Sequence, residues 1–431
     1  MRICFLQSQG HMYSGGQGVY LHYVTRELAR MGHEVHVIAG VPYPDVSSQV
    51  RMHRLKTFSF WSYLDNFSEY AYRTHPLLFF HPLNIFEFAT TRWTLTSLLN
   101  VFSLRAYHKV NELEREFGPF DLVHDNQTLG YGVWLLKARG LPVVANIHHP
   151  LAIDRKNALD QAKSVGAKIS RIVWYPWLMQ RWVAPRLDRI ITGSEASADS
   201  VVEAFGFPRD HIRAIHDGVE TEVFRPIEGI ARKPNSILFV GNSEDRNKGI
   251  LYLLRALRRL RGEVPFHLTV VHRPGSKGAP RLIQQLGLHG RVTFLEQLSA
   301  DELVLQYNRH QLLVSPSLYE GFGLPAAEAQ ACGTPVVATT AGALREIVED
   351  GETGITVPPG QVEPLAEAIR ALLEDPRRCR EMGEAGARRI RERFNWRRTA
   401  EETFALYQEV LSGAGPRSPS SARHARAQLV S

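Results

Sequence analysis

The sequence predicts an α/β protein built from two consecutive doubly wound domains. Short apolar runs rich in β-branched residues recur through both halves of the chain and alternate with segments of helical periodicity. Such runs are typical of buried parallel strands, and the segments between them are typical of crossover helices. At 431 residues the chain also exceeds the usual size of a single hydrophobic core, which favours two domains.

The predicted strands fall into two groups along the chain. The first group consists of Ile3–Leu6, Val35–Ala39, Leu122–His124, Val143–Ile147 and Arg189–Thr192. The second group consists of Ser236–Val240, Leu268–Val271, Val292–Leu295, Leu312–Ser315, Pro335–Ala338 and Ile355–Val357. The first crossover helix is marked by four apolar residues at helical spacing, which are Leu21, Val24, Leu28 and Met31.

The predicted domain boundary lies at a turn-forming Asp217-Gly218 pair. This places the N-terminal domain at 1–217 and the C-terminal domain at 218–392. A final helix at 393–412 is expected to pack back on the N-terminal domain. The tail at 413–431 is rich in Gly, Ser, Pro and Arg and is expected to be disordered, because this composition cannot bury enough apolar surface.

Two segments interrupt the regular pattern. An aromatic-rich insertion at about 41–110 contains 12 aromatic residues among the 36 from Phe58 to Trp93. It forms either a small core of its own or a wall that receives an apolar or sugar acceptor. The stretch from Leu151 to Ile190 has eight basic and three acidic residues interleaved with tryptophans. Arginine with tryptophan suits an anionic membrane interface, and a solvated basic helix face would look the same.

The composition and the absence of certain motifs argue against several other classes of protein. No apolar run reaches the roughly 18 residues that span a bilayer, and the N-terminus does not resemble a signal peptide. We therefore expect a cytoplasmic protein that can attach peripherally to the inner face of the cytoplasmic membrane. The three cysteines lack metal-ligand spacing and are expected to be free thiols. The net charge is +7, but no nucleic-acid recognition motif accompanies it, so no nucleic-acid partner is expected.

The segment Ser315–Glu328 carries the most chemistry in the sequence. It follows a predicted strand, and Gly321 and Gly323 allow the backbone of its loop to approach a ligand closely. Pro325 is placed to begin a helix. The unpaired N–H groups and the positive dipole end of that helix suit a diphosphate.

Two carboxylates accompany this loop. Glu320 lies on the loop, and Glu328 is expected in the first turn of the helix, so that both face one pocket. A carboxylate accepts hydrogen bonds from vicinal hydroxyls, which makes a sugar and a ribose natural ligands for the pair.

This context resembles the GT-B glycosyltransferases, and specifically glycosyltransferase family 4. Two glutamates separated by seven residues are the family signature, and the runs Glu320–Pro325 and Glu328–Val337 match its surroundings. The segments Leu28–Val35 and Ala341–Glu346 are also similar. The resemblance implies two Rossmann-like domains facing a central cleft, with acceptor binding by the first domain and nucleotide-sugar binding by the second.

The resemblance also implies roles for individual residues. The backbone at Gly15 and Gly16 would lie near the donor phosphates, and Glu328 would bind the ribose. The donor would further be held, largely through backbone N–H groups, by Glu320, Gly321, Phe322, Gly323 and Leu324.

The loop after the Ser236–Val240 strand departs from the family pattern. The family has an arginine shortly before a Lys-Gly pair, and both cations meet the diphosphate. Here Lys248 and Gly249 are present, but Asn242 occupies the arginine position. Arg246, four residues later, either supplies the missing charge or points to solvent.

His148 directly follows the predicted strand Val143–Ile147, at the end where doubly wound sheets bind ligands. In the resembled family a histidine at this place contacts the donor sugar and borders the acceptor. His149 is the neighbouring alternative, and we favour His148 because it comes directly after the strand. Asp125–Gln127 end the Leu122–His124 strand and are expected to line the acceptor side.

The predicted reaction is retaining transfer of a hexosyl unit from a nucleotide-diphosphate sugar to a lipid, saccharide or small-molecule acceptor. Glu320, Lys248 and His148 are the predicted catalytic residues. Preorganised positive groups would stabilise the charge that develops on the departing diphosphate. No Asp-x-Asp motif stands beside a nucleotide-binding strand, so neither a metal nor a cofactor is expected.

Three alternatives use the same architecture. The loss of arginine at Asn242 is compatible with a non-catalytic sugar-nucleotide-binding protein. A GT-B-fold sugar-nucleotide epimerase would share the domains but not the glutamate loop. An NAD-dependent dehydrogenase is excluded, since no Gly-x-Gly-x-x-Gly follows the Ile3–Leu6 strand. The base, the sugar and the acceptor stay open.

Overall fold

A computed structural model describes most of the chain. The described residues are 1–10, 16–56, 80, 82–90, 94–148, 151, 155, 159, 162, 164–272, 280–296 and 298–413. Much of the predicted aromatic-rich insertion and nearly all of the predicted C-terminal tail lie outside these ranges. The chain divides into two compact units, Met1–Ile215 with Thr399–Ser431, and His216–Arg398.

The first unit is organised around a parallel sheet. Within the described residues this sheet has seven strands in the order β3-β2-β1-β4-β5-β6-β7. These strands are β1 (Arg2–Gln7), β2 (Glu34–Ala39), β3 (Arg51–Arg54), β4 (Leu122–Asn126), β5 (Val143–Asn146), β6 (Arg189–Thr192) and β7 (Ile212–Ala214). Its helices are α1 (Gly16–Arg30), α2 (Pro82–Thr90), α3 (Leu95–Phe117), α4 (Tyr131–Ala138), α5 (Val165–Trp174), α6 (Trp177–Val183) and α7 (Glu195–Phe205).

The second unit repeats the plan. Its parallel sheet has six strands in the described part of the chain, in the order β10-β9-β8-β11-β12-β13. These strands are β8 (Lys233–Val240), β9 (His267–His272), β10 (Val292–Glu296), β11 (His310–Ser315), β12 (Val336–Thr339) and β13 (Gly354–Val357). Its helices are α8 (Ile250–Leu260), α9 (Pro280–Gln285), α10 (Ala300–Arg309), α11 (Leu324–Ala331), α12 (Leu344–Ile347), α13 (Val362–Glu374) and α14 (Pro376–Arg393). The last helix, α15 (Trp396–Leu411), begins in the second unit and lies mostly in the first.

The central strands are apolar on both faces because helices cover both sides of the sheet. In β8, Ile237 and Phe239 lie in a core cluster with α8 and α13. The intervening Leu238 lies in a second cluster with α10 and α11. Successive side chains of a strand point to opposite faces, so a continuous apolar run is what two covered faces require.

The predicted fold class is confirmed, and every predicted strand is present. The structure adds two edge strands that the sequence pattern missed. β3 is Arg-Met-His-Arg, with no apolar run, and β7 has only three residues. Both pair with one neighbour only, so burial does not impose an apolar pattern on them. Met31 is a correction, since it follows the end of α1 and is 38% exposed while the other three predicted residues of that helix face are buried.

The strand order defines where a ligand crevice opens in each sheet. The order reverses between β1 and β4 in the first sheet and between β8 and β11 in the second. At such a switch point the connections leave in opposite directions and open a crevice at the carboxyl ends of the strands. The candidate site residues lie on the segments that follow these strands and β5.

No helix among the described residues is long and apolar enough to cross a membrane. The three cysteines are free and buried.

Candidate active site

Two loops of the second unit meet beside its switch point. The first, residues 241–249, follows β8, and the second, residues 316–323, follows β11. The Leu318 N–H donates to the Asn247 carbonyl at 2.7 Å. Gly249 has φ +68°, and a Cβ added there would lie 1.9 Å from the Pro316 carbonyl oxygen. Only glycine therefore permits this contact between the loops.

The contact between the loops brings together Lys248 and Glu320, which the sequence predicts to be catalytic residues. Lys248 Nζ lies 2.9 Å from each carboxylate oxygen of Glu320. Ser317 Oγ donates to the same carboxylate at 3.1 Å. The side chains of Lys248 and Glu320 are 28% and 12% exposed. The pair is therefore largely shielded from solvent but keeps one accessible side.

A third segment supports the Glu320 backbone. The Ala343 N–H donates to the Glu320 carbonyl at 3.0 Å. Gly342 has φ +57°, and an added Cβ would lie 2.1 Å from the same carbonyl oxygen. Gly323 has φ +101°, and its added Cβ would lie 2.9 Å from Leu344 Cδ2. These close approaches fix the shape of the loop that carries Glu320.

The helix after this loop begins one residue earlier than predicted. Gly323 is its N-cap, and Leu324 precedes Pro325 as the first helical residue. The Ala326 and Ala327 N–H groups both donate to the Gly323 carbonyl, so fewer N–H groups point outward than the sequence suggested.

The side chains on the loop differ in their surroundings. Phe322 is buried, and its ring lies near those of Phe394 and His216, at centroid distances of 6.1 and 6.5 Å. Only its backbone is therefore suited to contact a ligand. Gly321 is half-buried.

Glu328 is the fifth residue of α11, beyond the first turn where the sequence placed it. Its carboxylate accepts a hydrogen bond from Tyr307 Oη at 2.8 Å. Burial raises the pKa of the Glu328 carboxyl to about 7, and the Tyr307 hydrogen bond partly opposes this shift. The two glutamates thus have different partners. Tyr307 was missed, because a tyrosine at the end of an amphipathic helix is indistinguishable from a core residue by pattern.

Asn242 occupies the position of the family arginine, and Arg246 is the residue that was considered as its replacement. Asn242 Oδ1 accepts from the Glu244 N–H at 3.0 Å, so this side chain shapes its own turn. Arg246 opens a 3₁₀ turn, Arg246–Lys248, and is exposed. Asp245 caps that turn by accepting from the Asn247 N–H at 2.9 Å.

The predicted residues of the first unit lie on a separate body. His148 follows β5, and its Nε2 lies 2.6 Å from Asn126 Oδ1. Its backbone N–H donates to Gln127 Oε1 at 2.8 Å. Burial lowers the pKa of the His148 imidazole to about 4, so the ring is neutral at pH 7. Asp125, Asn126 and Gln127 are all buried, which corrects the expectation that they line the acceptor side.

The remaining predicted positions lie near the start of α1 and after β5. Gly16 is the first residue of α1, and a Cβ added there would meet no atom of the described residues within 4 Å. Gly15 and His149 lie outside the described residues. In the described ranges, no three His, Cys, Asp or Glu side chains group as ligands of a metal ion.

Two parallel doubly wound units with a lysine–glutamate pair at one switch point define the class of GT-B glycosyltransferases. Family models agree with this class. The model described as Glycosyltransferase Family 4 matches residues 14–223, and that described as Glycosyl transferases group 1 matches residues 220–389.

Individual proteins are similar over the same range. The MMP alpha-(1->4)-mannosyltransferase of Mycolicibacterium hassiacum is 36% identical over 417 residues, covering 96% of this chain and 99% of that protein. The D-inositol 3-phosphate glycosyltransferase of Mycolicibacterium smegmatis is 32% identical over 324 residues, covering 72% and 71%.

Solved structures share the fold. Sucrose-phosphate synthase from Thermosynechococcus elongatus aligns with a TM-score of 0.72 at 25% identity, covering 96% of this chain and 100% of that one. Anabaena HepE in complex with UDP-glucose aligns with a TM-score of 0.64 at 18% identity, with the same coverage.

The chain therefore belongs to glycosyltransferase family 4 with the GT-B fold. It is a glycosyltransferase that moves a hexosyl unit from a nucleotide-sugar donor to an acceptor, as the sequence predicted. The alternatives of a non-catalytic binder and of an epimerase are set aside.

Proposed function

We propose that the protein is a retaining, metal-independent mannosyltransferase that uses a nucleotide-diphosphate mannose and a saccharide acceptor. The choice of mannose and of a saccharide is supported by the full-length similarity to the MMP alpha-(1->4)-mannosyltransferase. The D-inositol 3-phosphate glycosyltransferases match at lower identity, for example 32% in Mycolicibacterium smegmatis and 28% in Saccharomonospora viridis.

The single observation that carries the mechanism is the pairing of Lys248 with Glu320 beside the β8–β11 switch point. Breaking the bond between sugar and phosphate develops negative charge on the leaving diphosphate. A fixed ammonium stabilises this charge more in the transition state than in the ground state. The Leu324 N–H at the start of α11 supplies a second positive group, and together the two groups can serve in place of a metal ion.

The carboxylates complete the donor site. Glu320 holds the ammonium in place, and the remaining lone pairs of its carboxylate accept hydrogen bonds from sugar hydroxyls. Glu328 binds the ribose hydroxyls. The leaving phosphate takes the acceptor proton on the same face of the sugar, which gives retention without a general base from the enzyme.

Donor and stereochemistry are tested together. Thermal unfolding is measured with UDP-, GDP- and ADP-linked mannose and glucose, because a ligand that binds only the folded state raises its apparent stability. Transfer to mannose oligosaccharides is then followed with EDTA or Mg²⁺, and the anomeric configuration of the product is read by NMR. A β-configured product, or transfer that EDTA abolishes and Mg²⁺ restores, would contradict the proposal.

The role of Arg246 is tested by removing its charge and then by adding a positive charge at position 242. If its exposed guanidinium meets the diphosphate, Arg246→Gln should raise the donor KM about tenfold, and Asn242→Arg in that background should restore it. Unchanged KM in Arg246→Gln would show that this arginine faces solvent.

Helix α5 carries an apolar stripe on its exposed side. Val165, Ile169, Ile172 and Val173 recur at i, i+4, i+7 and i+8, and they are between 49% and 75% exposed. The helix buries none of its side chains completely. Leu178 on the next helix, α6, is 73% exposed. Exposed apolar residues on one helix face mark an interaction surface.

The charges around this stripe indicate its partner. Residues 164–187 include Lys168, Arg171, Arg181 and Arg186 but no acidic residue. Self-association would bring like charges together, whereas an anionic lipid surface accepts both the cations and the apolar stripe. We infer that α5 attaches the protein peripherally to an anionic membrane surface.

Vesicle co-sedimentation tests this attachment. Binding to vesicles with anionic lipid should fall about 30-fold or more in K168E/R171E, since each basic residue contributes about 1 kcal/mol near the surface. The matched control is R255E/R258E on the exposed side of α8, which changes the net charge equally. Equal binding to anionic and zwitterionic vesicles, or equal loss in both variants, would contradict the attachment.

A further inference from the structure

A chain of amide side chains runs beneath His148 in the first unit. Gln7 ends β1, Asn126 ends β4, and His148 follows β5, so three parallel strands deliver these side chains to one edge of the sheet. Gln7 Nε2 donates to the Gln9 carbonyl, and Gln7 Oε1 accepts from Asn126 Nδ2. Asn126 Nδ2 also donates to the Gln17 carbonyl at 3.1 Å.

The two backbone carbonyls, those of Gln9 and Gln17, determine the direction of every hydrogen bond in this row of amide side chains. A carbonyl oxygen only accepts, so the NH₂ groups of Gln7 and Asn126 must face the Gln9 and Gln17 carbonyls. The Oδ1 of Asn126 is thereby left toward His148 Nε2, at 2.6 Å. The nitrogen that faces an acceptor must carry the proton, so His148 has the Nε2–H tautomer.

The other ring nitrogen is consequently an acceptor. Burial holds the pKa of His148 near 4, so at neutral pH the ring carries one proton only. Within the described ranges, no donor reaches His148 Nδ1. The buried Tyr20 ring packs edge-on against His148 at a centroid distance of 4.9 Å and limits its rotation.

The loop that grips His148 has an unfavourable backbone conformation. Gln127 has φ +64° and Leu129 has φ +49°, although neither is glycine. Such residues persist where the surrounding structure holds them, and they cluster at functional sites. Gln127 uses this conformation to accept from the His148 backbone N–H, while Asn126 binds the ring. Two adjacent residues, the last of β4 and the first after it, thus hold both the ring and the backbone of His148.

We propose that Asn126 and Gln127 are positioning residues that hold His148 in its Nε2–H tautomer, so that His148 Nδ1 accepts a hydrogen bond from a hydroxyl of the sugar substrate. This inference rests on the proposed function and on the sequence-based prediction that His148 contacts the donor sugar. It assigns to the residue a specific atom and a direction of hydrogen bonding.

The tautomer is tested directly on the full-length wild-type protein. With ¹⁵N-labelled histidine, two-dimensional NMR at pH 7.5 distinguishes a protonated from an unprotonated ring nitrogen, and the His148 signals are assigned by their loss in His148→Gln. We expect Nε2 to be protonated and Nδ1 to be unprotonated. A ring protonated at Nδ1 would overturn the proposal, whether or not glycosyl transfer has been detected.

Two matched substitutions test the role of the amide. Asn126→Leu removes the acceptor of His148 Nε2, whereas Asn146→Leu removes the acceptor of the buried His124 Nε2 one strand away, at 3.2 Å. Both variants lose a buried amide, so both should lose stability. We expect mixed His148 tautomers and about tenfold lower kcat/KM in Asn126→Leu alone. Equal losses of activity, or an unchanged tautomer in Asn126→Leu, would show a merely structural role.

Two replacements of the histidine identify the functional nitrogen. The amide of asparagine reaches the position of Nδ1, and that of glutamine reaches the position of Nε2. If Nδ1 accepts the substrate hydroxyl, His148→Asn should keep about tenfold more kcat/KM than His148→Gln. The reverse order would mean that Nε2 contacts the substrate and would overturn the proposal.

Discussion

Replacing Lys248 by methionine removes the ammonium but keeps an unbranched side chain that extends as far as Cε. It leaves the Glu320 carboxylate, which is 12% exposed, with Ser317 Oγ as its remaining side-chain partner. Exposed ion pairs contribute about 0–1 kcal/mol, and removing one partner of a buried pair costs about 3–5 kcal/mol. For this partly buried pair we expect Lys248→Met to lower the free energy of unfolding by about 1–3 kcal/mol.

The expected loss of catalysis is larger. Removing one preorganised group that stabilises transition-state charge costs about 10²–10³ in kcat, or about 2.7–4 kcal/mol. The double variant Lys248→Met/Glu320→Gln should recover most of the stability, because no unpaired carboxylate is left, but none of the activity. Urea unfolding and steady-state kinetics with the cognate donor measure the two quantities separately.

The Lys137–Asp188 pair provides a matched control in the other unit. Its side chains are 30% and 23% exposed, and its atoms are 2.6 Å apart. Lys137→Met should therefore cost similar stability and leave kcat unchanged. If Lys248→Met is folded and keeps kcat/KM within about threefold of wild type, the electrostatic account of the donor site is wrong.

Four further outcomes follow from the same site. Donor affinity should fall as pH drops through about 7, because the pKa of Glu328 is raised to about 7 and only the ionised carboxylate accepts from both ribose hydroxyls; calorimetric titration from pH 8.5 to 6 measures this, and Glu328→Gln should remove the dependence. From this group alone, the free energy of unfolding should rise as pH falls from about 7 toward the ordinary carboxyl range, since the folded state binds the proton more tightly. Tyr307→Phe should move the midpoint of donor affinity to higher pH, because the lost hydrogen bond stabilises the ionised form. Gly249→Ala should lower both the unfolding temperature and kcat, because its Cβ would collide with the Pro316 carbonyl. The control Gly262→Ala, at φ +96° with no atom of the described residues within 4 Å, should cost only about 1–3 kcal/mol of stability and no activity.

Much of the fold was predictable because it depends on burial alone. Strands covered on both faces must be apolar along their length, and the predicted strands match the observed ones to within a few residues. The edge strand Arg51–Arg54 escaped prediction because it needs only one neighbour and can be polar. Met31 was assigned to a helix whose end lies one residue earlier, at Arg30, since periodicity does not mark where a helix stops.

The candidate site was predictable where a residue acts through its own loop. Glu320 and Lys248 stand out because glycines and a helix start surround them. Tyr307 and Asn126 do not stand out, because their importance comes from a partner distant in the chain. Such partners carry no local signature.

By itself, the sequence determined the two α/β units, the glycine-bearing loops and the family to which the chain belongs. These features depend on near-neighbour chemistry, in which apolar runs form buried strands and glycine permits left-handed backbone. Only the tertiary structure decided that Lys248 meets Glu320, 72 residues away, and that an amide network determines which ring nitrogen of His148 is unprotonated. Strand order in a parallel sheet decides such pairings, because it places the ends of distant strands side by side.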